Sequence, residues 1–290
     1  MFFLLLTAAI TATFYLLFRW FEIYEVKLFP AVTFNYLFCA LTGLVFSYQD
    51  LSAGLVDVKA WIPWSLLLGV LFIATFFLMG VAVQRVSITA STIASKMSFS
   101  IPVFINLFFY DVSYGWLNYI GLLMAFVAVI LTSIKKESNP LAGEKVLWII
   151  VAVFIGTGAV DATINVVNRA FTGEAMNKVF PLVSFFIAFF IGFTILLSQK
   201  NAFRKKDVLA GAILGVPNYF SIYSLMQTLE TFDGNGAFVF PLLNIIVIVF
   251  TNILGVLLFK EKISKVNLVG IVVALAAIVL VSELWKTFLI

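Results

Sequence analysis

Lys96 and Asp161 are full charges set deep inside apolar runs, and they are the strongest candidates for chemistry in this sequence. Counted from the starts of their runs, near Ser87 and near Val146, they lie ~14 and ~22 Å along a helix rising 1.5 Å per residue, close to mid-bilayer. A charge at that depth costs ~2.5–3.5 kcal/mol on insertion scales, so the two are expected to pair or to line a wet cavity. Lys96 could receive an anionic group or neutralise Asp161, and Asp161 could sense a proton or a cationic group. The competing reading is a structural ion pair. Amides and a phenol extend the set. Asn35 lies in the second run and Asn165 one turn after Asp161, on a stripe with Thr157 and Asn168. Asn218 and Tyr219 follow Gly215-Val216-Pro217, and Asn244 follows Pro241. Lys96, Asp161, Asn35, Asn165, Asn218, Tyr219 and Asn244 are therefore the candidate substrate-binding residues, suited to an amphipathic organic solute. The sequence has no histidine and one cysteine, Cys39, so it offers no imidazole catalysis, no disulfide framework and no cysteine–histidine metal site. No cofactor is expected. Gly156-Thr157-Gly158 lies inside a helical run with no strand before it, which fits close helix packing or local flexibility and not a phosphate loop.

The elements that position these residues are membrane helices. Of the 290 residues, 63% are hydrophobic and 11% charged, against about a quarter charged in soluble domains. Continuous apolar runs of about twenty residues exclude a transmembrane barrel, whose strands alternate. Helices are expected at 2–18, 28–48, 61–83, 87–110, 116–134, 146–171, 179–198, 207–229, 236–259 and 266–285, ten spans in all. Trp20, Trp61, Trp64, Trp116, Trp148 and Trp285 all fall near predicted ends, where an interfacial belt places them. In the fourth span Pro102 frees a carbonyl one turn before it and permits a kink. Ser87, Thr89, Ser91, Thr92, Ser95, Ser98 and Ser100 let other helices approach and offer hydrogen bonds. The first run starts at Met1 without a basic region or an A-x-A-like site, so it reads as a retained helix and not a signal peptide.

An internal repeat organises the chain. Asn118-x-x-Gly121 followed by LLMAFVAVILTS matches Asn267-x-x-Gly270 followed by IVVALAAIVLVS, with Ala125/Ala274, Ala128/Ala277, Leu131/Leu280 and Ser133/Ser282 coinciding. The Gly, Ala and Ala lie at i, i+4 and i+7, a narrow face for tight packing. FFYD ending at Asp111 corresponds to LFKE ending at Glu261, where a cap or a local pair with Lys260 or Lys262 is expected. The unit is thus five spans: residues 1–134 and 146–290, joined by the polar linker 135–145. An odd number of spans inserts the second copy upside down, a recurring transporter design.

These features resemble the drug/metabolite transporter superfamily, specifically its ten-helix proteins with two EamA-type domains. IPVFINLFFYDVSYGWLNYIGLLMAF and GVLLFKEKISKVNLVGIVVALAAI carry the resemblance. Asp111 stands where the family more often has glutamate. The resemblance implies an all-α polytopic membrane protein of ten transmembrane helices, arranged as two inverted five-helix repeats around a central cavity. It also implies transport of small solutes by alternating access.

Orientation divides two arguments. Odd loops carry Arg19, Lys27, Arg85, Lys135, Lys136, Lys145, Lys200, Arg204, Lys205, Lys206, Lys260, Lys262 and Lys265, whereas even loops and the C-terminus carry Lys59, Arg169, Lys178 and Lys286. The positive-inside rule then puts both termini outside, while the resemblance implies cytoplasmic termini. The expected function is secondary transport of a small organic metabolite, amino-acid-like or drug-like, across a bacterial inner (plasma) membrane, with proton coupling through Asp161. An uncoupled exchanger or facilitator is the alternative. A membrane-embedded enzyme would show clustered acidic residues, histidine or a metal motif, and a purely structural protein leaves the buried charges without a use. The expected partners are a small-molecule solute and the lipid bilayer, with no nucleic acid, in a monomer or weak homodimer.

Overall fold

In lipid a backbone must satisfy its own hydrogen bonds, so long apolar runs become helices. The computed structural model describes residues 2–102, 115–133, 140–171, 174–199, 202–231 and 236–282. It is about 90% helix, with no strand among the described residues. The helices are α1 (Phe2–Ile23), α2 (Leu28–Ser47), the short α3 (Leu51–Gly54), α4 (Val58–Arg85), α5 (Ile88–Met97), α6 (Trp116–Ser133), α7 (Pro140–Ala170), α8 (Glu174–Leu197), α9 (Lys205–Thr231), α10 (Gly236–Phe259) and α11 (Lys265–Val281). Among the described residues seven helices are long and apolar enough to cross a membrane, and α6 and α11 are shorter apolar helices. Several boundaries differ from the sequence reading, two of them by more than five residues. The helix α7 starts at Pro140, inside the expected polar linker, where proline's fixed φ suits a first helical position. The fourth span is not one helix from 87 to 110, because α5 stops at Met97. Asp111 lies outside the described residues.

The helices form two compact units, each drawing segments from both halves of the sequence. The first comprises Met1–Arg19, Leu78–Gly158 and Ser221–Ile290, the second Trp20–Phe77 and Ala159–Phe220.

In the first unit α6 and α11 pack antiparallel along the Gly-Ala-Ala face. Ala125, Ala128, Ala274 and Ala277 are fully buried. A Cβ on Gly121 would lie 2.7 Å from Val281 Cγ2, and one on Gly270 would lie 2.6 Å from Thr132 Cγ2. Asn118 Nδ2 donates to Val281 O at 2.9 Å, and Asn267 Nδ2 donates to Thr132 O at 2.7 Å. Each contact is the other's counterpart at a shift of 149 positions (118 to 267, 132 to 281). The two contacts are of one kind, an amide on each helix donating to a carbonyl of the other. Asn118→Ala and Asn267→Ala are accordingly expected to destabilise by similar amounts, about 1 kcal/mol each, in thermal unfolding of the purified protein. A cost confined to one of the two would contradict their equivalence.

In the second unit α2 and α8 pack antiparallel at the same shift. A Cβ on Gly43 would meet Leu182 Cδ1 at 3.3 Å, and one on Gly192 would meet Thr33 Oγ1 at 2.6 Å; 43 and 33 become 192 and 182 on adding 149. Tyr36 and Phe185, themselves equivalent at that shift, stack on each other at 5.9 Å, and Phe72 stacks on Phe185 at 5.2 Å. In the same unit Trp61, Leu68, Val167, Val179 and Phe180 form a buried core. Asp50 and Lys178 pair at 3.0 Å.

The connection before α2 is tied to the start of α9. Asp207 accepts from Lys27 N at 2.9 Å and from Arg204 N at 2.8 Å. The Arg204 guanidinium also reaches Glu25 O at 2.6 Å, and Lys206 Nζ donates to Tyr24 O at 3.1 Å.

Candidate functional site

Lys96 sits in the last turn of α5, half-buried, in a helix whose other residues from Ile88 to Met97 are all buried. The helix breaks directly after it. Pro102 has no N–H, and its ring would clash with the carbonyl four residues back, that of Ser98. Ser98 O instead accepts from Ile101 N at 2.9 Å in a tighter turn. The hydroxyls foreseen as packing aids also serve this break: Ser98 Oγ donates to Ser95 O at 2.6 Å, and Ser100 Oγ to Met97 O at 2.9 Å. They occupy carbonyls that a helix end leaves open, which an apolar environment requires. A cation in the last turn also suits the negative end of the helix dipole. The opposite end of α5 is closed by Ser87, whose Oγ accepts from Ala90 N at 3.0 Å. Its flank is fixed by Thr89 Oγ1 donating to Asn252 Oδ1 at 2.6 Å and Ser91 Oγ donating to Met79 O at 3.2 Å.

Gly158 of α7 packs on the segment after the break, where a Cβ would lie 2.2 Å from Ile101 Cδ1. The close-packing reading of Gly156-Thr157-Gly158 therefore holds at Gly158. Thr157 is buried and bonds back to Val153 O at 2.6 Å. Asp161 stands one turn further along α7 and is exposed. Asn165 is on the same helix, with its side chain outside the described residues, as is that of Asn168.

In the second unit Asn35 is fully buried on α2. Asn218 Nδ2 donates to Asn35 Oδ1 at 3.3 Å, while Asn35 Nδ2 is buried without a hydrogen-bond partner. Two of the candidates are thus brought together. Gly211 and Gly215 of α9 allow this, since a Cβ on either would press into the α2 backbone at 2.9 and 2.3 Å. Tyr219 is half-buried, its ring against Gly43 and 5.7 Å from Phe46. The buried phenol of Tyr36, next to Asn35, is used by the fold, donating to Phe72 O at 2.7 Å. Asn244 is half-buried on α10. Glu261 does not find its charge partner in Lys260 or Lys262; its carboxyl faces Thr89, Ile88 and Ser87 at the start of α5. Sequence reasoning also passed over Asp207, although an acidic residue directly before an apolar run carries the signal of a helix start.

The apolar helices of membrane-spanning length define an integral, multi-pass helical membrane protein. No family model matches the chain. The chain is 30% identical over 258 residues to an uncharacterized protein of Haemophilus influenzae, covering 86% of each, and it belongs to the same family as that protein.

Proposed function

We propose that the protein is a secondary transporter of a small organic metabolite, amino-acid-like or drug-like, working by alternating access between two inverted five-helix halves. The observation that carries this reading is the break in the polar helix α5 immediately after Lys96. Broken helices at membrane depth occur where backbone is buried in protein or lines a wet path, and transporters place solute and ion sites at such ends. Lys96 is assigned to an anionic group of the solute, and Asp161 to a proton or a cationic group. Asn35, Asn165, Asn218, Tyr219 and Asn244 are assigned to its polar parts. The reciprocal contacts at one shift in both units support the inverted duplication, since antiparallel equivalents such as α6 and α11 are what two upside-down copies produce. The resemblance to EamA-type transporters supports the same class, and the bacterial inner membrane is its proposed location.

The test starts with a thermal-shift screen of amino acids, sugars, nucleosides and drugs, because a solute bound to the folded state raises its melting temperature. Uptake of a hit into proteoliposomes is then compared for wild type, Lys96→Met and Asp161→Asn. Each variant is expected to lose at least about tenfold in rate, corresponding to about 1.4 kcal/mol or more. Dependence of the wild-type rate on a pH gradient distinguishes coupled transport from exchange. Unchanged transport in both variants removes the assignment.

A further inference from the structure

Glu261 is a part-buried carboxyl that the transport reading leaves without a task. The chain reaches it through Lys260, whose φ of 52° is in the left-handed region. Lys260 N donates to Val256 O at 3.1 Å and Glu261 N to Gly255 O at 3.2 Å. That reversal at the end of α10 turns the carboxyl towards the first residues of α5, where the N–H groups of Thr89 and Ile88 and the Ser87 hydroxyl face it. Its second oxygen, Oε2, is buried and has no hydrogen-bond partner. Gly255 makes room for that oxygen, because a Cβ there would lie 2.9 Å from Oε2.

A carboxylate needs donors at both oxygens, and an ionised oxygen buried without one is costly. A proton on Oε2 lowers that cost, because a neutral carboxyl is buried more easily than an ionised one, while the other oxygen can still accept from the α5 terminus. We propose that Glu261 is a proton-binding site, and that its protonation state sets how firmly the N-terminus of the helix carrying Lys96 is held. Ionised, the carboxyl offers charge-assisted bonds to the positive end of α5; protonated, it offers weaker neutral ones. The charge acting on the site from another helix is that of Arg19 in α1; Arg85 at the end of α4 precedes Ser87 by two residues, and Lys260, Lys262 and Lys265 lie along the connection that carries Glu261. Burial pushes the Glu261 carboxyl above its ordinary range, against the Thr89, Ser87 and Ile88 donors and the Arg19 charge, which pull it down. A carboxyl raised in the folded state contributes stability that is complete below its unfolded value and lost as pH rises through its folded value.

The test uses purified full-length protein without solute, so its outcome is separate from that of the transport assay. Wild type is expected to melt higher at pH 5 than at pH 8 through this group, a gain that Glu261→Gln lacks. The infrared difference spectrum between those pH values should contain a protonated-carboxyl band that disappears in Glu261→Gln. Ser87→Ala, which removes a donor favouring the ionised form, should move the midpoint of that band to higher pH. Identical pH slopes and spectra in wild type and Glu261→Gln, or a midpoint at the value of an exposed glutamate, would overturn the proposal.

Discussion

Gly215→Ala is expected to destabilise the folded protein by about 1–3 kcal/mol, although the same change in an exposed helix stabilises by up to about 1 kcal/mol. The sign reverses because of what the new methyl meets. A Cβ at 215 would lie 2.3 Å from Asn35 O and 2.9 Å from Phe38 Cβ. The first of these is a backbone atom inside α2, which cannot rotate aside. The helix α9 must therefore back away, stretching the 3.3 Å bond from Asn218 to Asn35 three residues later. Gly43→Ala is the internal comparison. Its methyl would meet only side-chain atoms, the Tyr219 ring at 3.1 Å and Leu182 Cδ1 at 3.3 Å, and these can yield. It should cost less. Thermal or denaturant unfolding of the purified variants measures both, and a Gly215→Ala protein as stable as wild type would show that α2 and α9 do not meet as described.

Asp207→Ala is expected to cost about 2–3 kcal/mol. The ion pair with Arg204 is the smaller part of that loss, because the arginine side chain is 42% exposed while that of Asp207 is fully buried and exposed pairs contribute little. The larger part is the position of the carboxylate. It stands in the first turn of α9, where a negative charge suits the helix dipole. It accepts the N–H of Arg204, the residue preceding that helix, at 2.8 Å and the N–H of Lys27, the residue preceding α2, at 2.9 Å. Removing it leaves donors at the starts of two helices without their acceptor. Asp207→Asn keeps one acceptor and should recover part of the loss. Unfolding midpoints that rank wild type, Asn and Ala in that order support the account; an Ala variant within about 0.5 kcal/mol of wild type refutes it.

Legibility followed the range of the forces involved. The multi-pass helical class was readable because hydropathy and run length are local, and lipid permits little else for a continuous apolar run. The packing face at Gly121, Ala125 and Ala128 was readable because the same small residues recur at Gly270, Ala274 and Ala277, and the structure buries those alanines completely. The second reciprocal pair was not readable. Between Thr33–Gly43 and Leu182–Gly192 little survives in common beyond the terminal glycine and an aromatic at 36 and 185, because a helix interface is satisfied by shape and volume and not by identity.

Pro102 announced a disturbance in the fourth span, and its chemistry dictates that Ser98 O loses its usual partner. The proline alone did not say whether the chain bends or breaks; the structure breaks it, with the Ile101 N–H and two serine hydroxyls covering the exposed carbonyls from three residues away. The acidic residue ending the repeat motif told a similar story. Adjacent lysines made a local pair the natural expectation for Glu261, yet the left-handed Lys260 carries it to a helix start more than 170 positions earlier in the chain. By itself, then, the sequence determined the solvent this protein lives in and one seam between its helices, since those depend on neighbours in the chain. Which polar groups are spent on the fold, as at Tyr36, and which stand at a broken helix end, as at Lys96, only the tertiary structure decided. A hydrogen bond between helices depends on which distant backbone arrives, and that is not written in local spacing.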